Sequence, residues 1–268
     1  MAETPQKEMG FFDHLGELRW RMVKCFIAML IFAIIIFIYE TELVEAIFIG
    51  MSKPDFITYD FLCRLSQAMG MEESLCASEI KLQLIETKMG GQFTTSIYLA
   101  VIGGIVIAFP YIFYQLWSFV KPGLKKNEIK GTSGIVFYAS LLFALGIAFG
   151  YWIVSPLCVQ FFGTYSISED IVKTPIFSEY ISLIATTTFW TGILFQLPMV
   201  IYILSRLGLI GPEFLRTYRK HAVVVVLILA AIITPPDFIS QIIVAVPILL
   251  LYEIGIFVSA SVAKKSAV

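Results

Sequence analysis

Charge is what this sequence has least of. Asp, Glu, Lys and Arg make up 15% of its 268 residues, where a soluble domain carries about 25%. The remaining charges cluster between long apolar stretches, which excludes an ordinary soluble globule. Histidine is scarce as well: His14 and His221 stand far apart. The four cysteines (Cys25, Cys63, Cys76, Cys158) form no C-x-x-C pair, so zinc and redox centres are poor readings. G-x-x-x-x-G-K-[ST], H-E-x-x-H and G-x-S-x-G are all missing, which removes the usual phosphate cradle, zinc-protease helix and hydrolase nucleophile. No catalytic site, metal or cofactor is expected. The net charge of −1 offers no basic excess, and no nucleic-acid partner is expected.

What is present is apolar, at 58% of residues, and it falls into runs long enough to cross a bilayer. The first run, Met22 to Tyr39, leads into Glu40-Thr41-Glu42 with no small-residue cleavage signature, so it is expected to persist as a helix. Five further runs follow at about Gln92–Val120, Thr132–Phe161, Ser178–Leu204, Tyr218–Thr234 and Ile239–Val262. The expected fold is therefore all-α: one integral membrane domain over residues 1–268 with six transmembrane helices. Six crossings put both termini on one side. That side holds 14 of the 19 cations, among them Arg19, Arg21, Lys125, Lys126, Arg206 and Lys264, so both ends are expected to be cytoplasmic.

Between the first two runs lies an external loop, about residues 40–91, too long for a plain connector. The apolar spacing of Phe61–Met69 and Ser78–Met89 predicts short amphipathic helices there. Cys63 and Cys76 also fall in this loop. A disulfide between them would close about 14 residues and be worth roughly 3 kcal/mol; two isolated thiols are the alternative. The fifth run is the short one. Its uninterrupted part, Ala222 to Ile233, spans only about 18 Å before Thr234-Pro235-Pro236-Asp237 turns the chain. A bundle with one short wall is concave on that flank, and Asp237 and Gln241 are expected below the external surface.

Two acids stand among the cytoplasmic cations. Glu17 lies in His14-Leu15-Gly16-Glu17-Leu18-Arg19-Trp20-Arg21, and Glu128 in the loop Lys121-Pro122-Gly123-Leu124-Lys125-Lys126-Asn127-Glu128. Topology asks those flanks only for Lys and Arg. Each acid has a local reading: Glu17 can pair with Arg21 at i,i+4, and Glu128 can sit solvated in a basic loop. Together on one face they favour a cationic ligand, and a carboxylate matches a guanidinium bidentately. Gln196 is the strongly polar side chain deep in the fourth run, roughly 15 Å inside Arg206. A helix–helix hydrogen bond of about 0.6 kcal/mol is its bland role. Gly146-x-x-x-Gly150 points to close packing within the bundle.

Four separated motifs occur in one order: His14-Leu15-x-Glu17-Leu18-Arg19-x-Arg21; Tyr114-Gln115-x-Trp117-x-Phe119-x-x-Pro122-x-Leu124-x-x-x-Glu128; Thr234-Pro235-Pro236-Asp237-x-x-Ser240-Gln241; and Leu251-Tyr252-Glu253-Ile254-Gly255. They resemble the TatC family, receptor subunits of the twin-arginine protein translocase, over about residues 11 to 260. That resemblance implies a glove-shaped, concave six-helix bundle in a bacterial inner membrane. It implies binding of twin-arginine signal peptides of folded cargo, single-span TatA and TatB partners, and export driven by the proton gradient. It places the family's signal-peptide residues on Glu17, Arg19, Phe119 and Glu128, and the turn acid with its following glutamine on Asp237 and Gln241. The family often has Glu where Gln196 stands, so protonation there is not expected, while hydrogen bonding to a partner helix stays open beside a structural role. Association of several copies within one complex stays open. The rival reading, a secondary transporter of small cationic solutes, calls for internal repeats and ionisable groups at the midplane; the deep polar residue here is uncharged.

Overall fold

The computed structural model describes residues 11–52, 56, 58–59, 64, 84–121, 134–168 and 174–266. Among them the chain is helical apart from turns, short connectors and one isolated β-bridge. Five helical stretches are long and apolar enough to cross a membrane: Leu15–Ile38, Gly91–Val120, Ile135–Thr164, Phe177–Arg206 and Ser240–Lys264. The sixth expected span is also a helix, but a short one.

Helix α1, Phe11–Ile38, begins about three turns before the predicted Met22. The charged motif around Glu17 is thus the first part of a helix, not a lead-in to one. After Tyr39 the chain stays coiled through α2, Glu40–Leu43, a π-turn at Val44–Phe48 and a 3₁₀ turn at Ile49–Ser52. Three tyrosine hydroxyls hold this external extension by donating to its carbonyls: Tyr151 to Ile47 (2.6 Å), Tyr180 to Phe48 (2.9 Å) and Tyr59 to Met51 (3.1 Å). Met51 is fully buried beneath them.

The loop predictions fare differently. The expected helix over Ser78–Met89 is absent from its described end, since residues 84–90 are non-helical. Their backbone groups bond across the chain instead. The Ile85 amide donates to Pro175 O (3.2 Å), and Ile85 O accepts from the Phe177 amide (2.8 Å), making a parallel bridge with Ile176. Helical apolar spacing in a short segment loses to a neighbouring strand-like edge that satisfies the same donors. Apart from Arg64, the expected Phe61–Met69 helix lies outside the described residues, as do Cys63 and Cys76.

Helix α3, Gly91–Val120, runs unbroken through Gly103, Gly104 and Pro110 and packs along α1. The third span is α4, Ile135–Phe149, a π-turn at Gly150–Val154, and α5, Ser155–Thr164. In the fourth, α6 (Phe177–Leu194) and α7 (Leu197–Arg206) are separated by a turn at Phe195-Gln196. Pro198 causes that break, because it cannot donate to the preceding turn. The glycine pair of Gly146-x-x-x-Gly150 faces α6: a Cβ on Gly146 would lie 2.8 Å from the Gly192 backbone, and one on Gly150 2.9 Å from that of Thr188. Close packing within the bundle is therefore what that motif does.

A short helix α8, Pro212–Thr217, precedes α9, Arg219–Ile233. At 15 residues, α9 spans about 22 Å, well under the ~30 Å hydrocarbon core. The predicted short wall is real. Between α6 and α9 lies a groove of about 870 Å³ whose lining includes Ser178, Ser182, Thr186, Thr187, Trp190 and Ile233. Helix α10, Phe238–Ser266, closes the bundle against α7 and α9.

Candidate functional site

The cytoplasmic ends of α1 and α3 meet through one arginine. Arg21 donates Nε and Nη2 to Glu17 Oε1 at 3.0 and 2.5 Å. Its Nη1 reaches across to α3, to Gln115 Oε1 at 3.3 Å and the Gln115 carbonyl at 3.4 Å. The i,i+4 pairing of Glu17 with Arg21 is therefore formed. It uses one carboxylate oxygen only: Glu17 Oε2 is shielded and has no hydrogen-bond partner. A bidentate fork from an incoming guanidinium does not fit Glu17 in this arrangement, because Oε1 already accepts twice. Oε2 keeps the capacity for one charge-assisted contact, which a ligand reaches once the groups shielding that oxygen shift.

Helical register places the other candidates. On α1, Arg19 is two residues from Glu17 and so points to a different side; it is exposed. On α3, Phe119 stands one turn beyond Gln115 toward the cytoplasm and is half-buried, level with Glu17, one turn below Arg21 on the antiparallel helix. Glu128 lies outside the described residues. Gln115 belongs to the second motif, where nothing in the spacing gives it a task. Only the crossing of α1 with α3 shows that it anchors the arginine that holds Glu17.

Gln196 makes the bland contact. It is buried at the break between α6 and α7, and its Nε2 donates to Ala139 O of α4 at 3.0 Å. Its Oε1 is shielded and unpartnered, so an acceptor is left over at mid-depth. Asp237 is a helix cap: Oδ2 accepts from the Ser240 amide (2.9 Å) and the Ser240 hydroxyl (2.8 Å) at the start of α10. A carboxylate there meets the unsatisfied N–H groups and the positive end of the helix dipole. Gln241 Nε2 donates to Leu227 O at 3.0 Å, tying α10 to α9. Glu253 pairs with Arg219 at 2.7 Å.

Outside the spans, Glu86 accepts from the Ser178 hydroxyl and from the Lys88 amide (3.0 Å). These bonds, Ser178's foremost, hold its carboxyl below the usual carboxylate range. Among the described residues no three His, Cys, Asp or Glu side chains are grouped to hold a metal. No hydrogen bond or ion pair joins the groups at Glu17, Gln196 and Asp237 to one another. They are three stations at three depths.

Five helices of membrane-crossing length and a sixth, shorter one that leaves a groove on its flank define a polytopic membrane protein. The profile of the family described as Sec-independent protein translocase protein (TatC) matches residues 13–247, and the chain belongs to that family. It is 38% identical over 264 residues to the TatC protein of Blattabacterium sp. subsp. Periplaneta americana, covering 98% of this chain and 99% of that one. To TatCy of Bacillus subtilis it is 32% identical, with 99% and 94% covered. A crystal structure of the twin-arginine translocase receptor TatC in DDM superposes with a TM-score of 0.70 at 31% identity, over 92% of this chain and 99% of that one.

Proposed function

We propose that this chain is the signal-peptide receptor and core scaffold of a twin-arginine translocase, and that Glu17 is one of its peptide contacts. The observation that carries the contact is the half-used carboxylate: Arg21 fixes Glu17 through Oε1 and leaves Oε2 shielded without a partner. An unpaired buried acceptor costs about 1–3 kcal/mol, which a peptide arginine would recover. Glu128, on the same face by sequence, is proposed as the second contact, with Arg19 and Phe119 bordering the site. The peptide's apolar segment lies along the bundle, and TatA- and TatB-type single-span subunits pack against the later spans near Gln196, Asp237 and Gln241. Folded cargo then crosses at the expense of the proton gradient.

Site-specific photocrosslinkers at positions 17 and 128 test the assignment. Both should capture a peptide at its arginine pair, and neither should capture one with paired glutamines. Capture that ignores the arginines would refute the assignment. The transporter rival predicts solute flux by the chain alone in liposomes; the uncharged Gln196 at mid-depth argues against it.

A further inference from the structure

A second cavity lies apart from the cytoplasmic site, between α1, α3, α4 and α6. It has about 640 Å³, inside the range of about 300–1,000 Å³ typical of small-ligand pockets. Its walls are nearly all apolar, with Ile107, Pro110, Phe143 and Ala144 among them. The few polar groups on the wall are mostly spoken for. Ser140 donates to Val136 O, Tyr151 to Ile47 O, and Thr188 pairs with Ser155. Glu40 is different: it lines the same cavity, and its Oε2 is shielded from solvent with no hydrogen-bond partner. Glu40 directly follows the first span, so its carboxylate, of which Oε2 is the covered oxygen, stands at the external mouth.

From this geometry we infer that the cavity receives one of the two acyl chains of a single aminophospholipid of the outer leaflet, the second chain staying in the bilayer and the primary ammonium resting on Glu40. The occupant must be apolar along its length and must bring N–H donors at one end, since a carboxylate only accepts. A phosphoethanolamine head has such donors. A glycerol head lacks the positive charge, and a choline head has the charge but no N–H. A protein helix is the wrong shape. At about 10 Å across, one and a half turns of it would fill the whole volume. Ionisable side chains at membrane depth pair with something, and among the described residues Glu40 Oε2 has nothing.

The test uses full-length protein in nanodiscs of phosphatidylethanolamine and phosphatidylglycerol in equal parts with matched chains, read by native mass spectrometry of co-purified lipid. Phosphatidylethanolamine should be retained about tenfold over phosphatidylglycerol. Replacing it with phosphatidylcholine should lose that excess. Glu40→Gln should abolish the headgroup preference while a lipid stays bound, and Ala144→Phe, which projects a ring from the cavity wall into the path of the acyl chain, should sharply reduce the bound lipid itself. Equal retention of the two lipids by the unaltered chain, or an undiminished preference in Glu40→Gln, would overturn the inference. So would a photocrosslinker at Ile107 that captures a polypeptide in native membranes instead of lipid. None of these readouts depends on signal-peptide binding, so the two proposals fail separately.

Discussion

Two adjacent glycines in α3 should respond oppositely to the same substitution. A Cβ on Gly104 would sit 2.8 Å from Met29 O, 2.9 Å from Ala33 N and 3.0 Å from Ala33 Cβ, all on α1. A Cβ on Gly103 would meet only Ile36, at 2.6 Å from its Cδ1, and that is a side-chain tip free to change rotamer. Backbone cannot step aside, so Gly104→Ala must move α1 off α3 by about 0.6 Å to reach ordinary contact near 3.4 Å. Overpacking of this kind costs about 1–3 kcal/mol. Gly103→Ala should stay within about 0.5 kcal/mol, helped by alanine's better helix propensity. The same displacement reaches the cytoplasmic rim. Arg21 lies 3.3 and 3.4 Å from its two acceptors on Gln115, already at the long end for N–H···O bonds. An extra 0.6 Å, added along that line, would break both and free Arg21 and Glu17 from α3. Thermal unfolding in detergent, followed by labelling of the buried Cys158 thiol, measures the first effect, and twin-arginine peptide affinity measures the second. If Gly103→Ala and Gly104→Ala behave alike in both assays, the close-approach argument is wrong.

The other expectations rest on separate contacts. Gly146→Ala and Gly150→Ala should each cost about 1–3 kcal/mol in the same unfolding assay, and the double variant less than their sum, because one helix shift relieves both clashes. Asp237→Ala should cost about 0.5–2 kcal/mol through the lost cap on α10, while Asp237→Asn, an equally good cap, should unfold at nearly the original temperature. Export that fails in Asp237→Asn despite normal stability would show a role beyond capping. Glu86 supplies a pH effect whose sign follows from its lowered pKa. Its stabilisation is present above the ordinary carboxylate value of 4.5 and fades as pH falls through the lower folded value. Protection of the Phe177 amide, corrected for intrinsic exchange, should therefore drop in acid, and Ser178→Ala should flatten that dependence.

The spans were legible because a bilayer leaves backbone polar groups no partner outside a helix, so apolar length alone marks them. Even the shallow fifth span could be measured from Ala222 to Ile233 before Pro235 and Pro236 end it. The start of α1 was placed too late because the apolar run alone marked the helix, although the i,i+4 spacing of Glu17 and Arg21 already fits one. The Ile85–Ile176 bridge was not legible: it joins segments some ninety residues apart and leaves no local signature. At the site, Glu17 stood out as an acid among cations, and the Gly146-x-x-x-Gly150 packing followed from its spacing. Gln115 and Glu40 escaped notice for one physical reason: an unremarkable polar residue acquires meaning only from what the neighbouring helix leaves unsatisfied.

Titration of a twin-arginine peptide against the purified chain and its Glu17→Ala, Glu128→Ala double variant tests the receptor reading most directly. Each lost charge-assisted contact should cost about 1.5–3 kcal/mol, so affinity should fall by roughly two orders of magnitude or more, and a peptide with paired glutamines should bind both proteins equally weakly. Undiminished affinity of the double variant for the twin-arginine peptide would contradict the account.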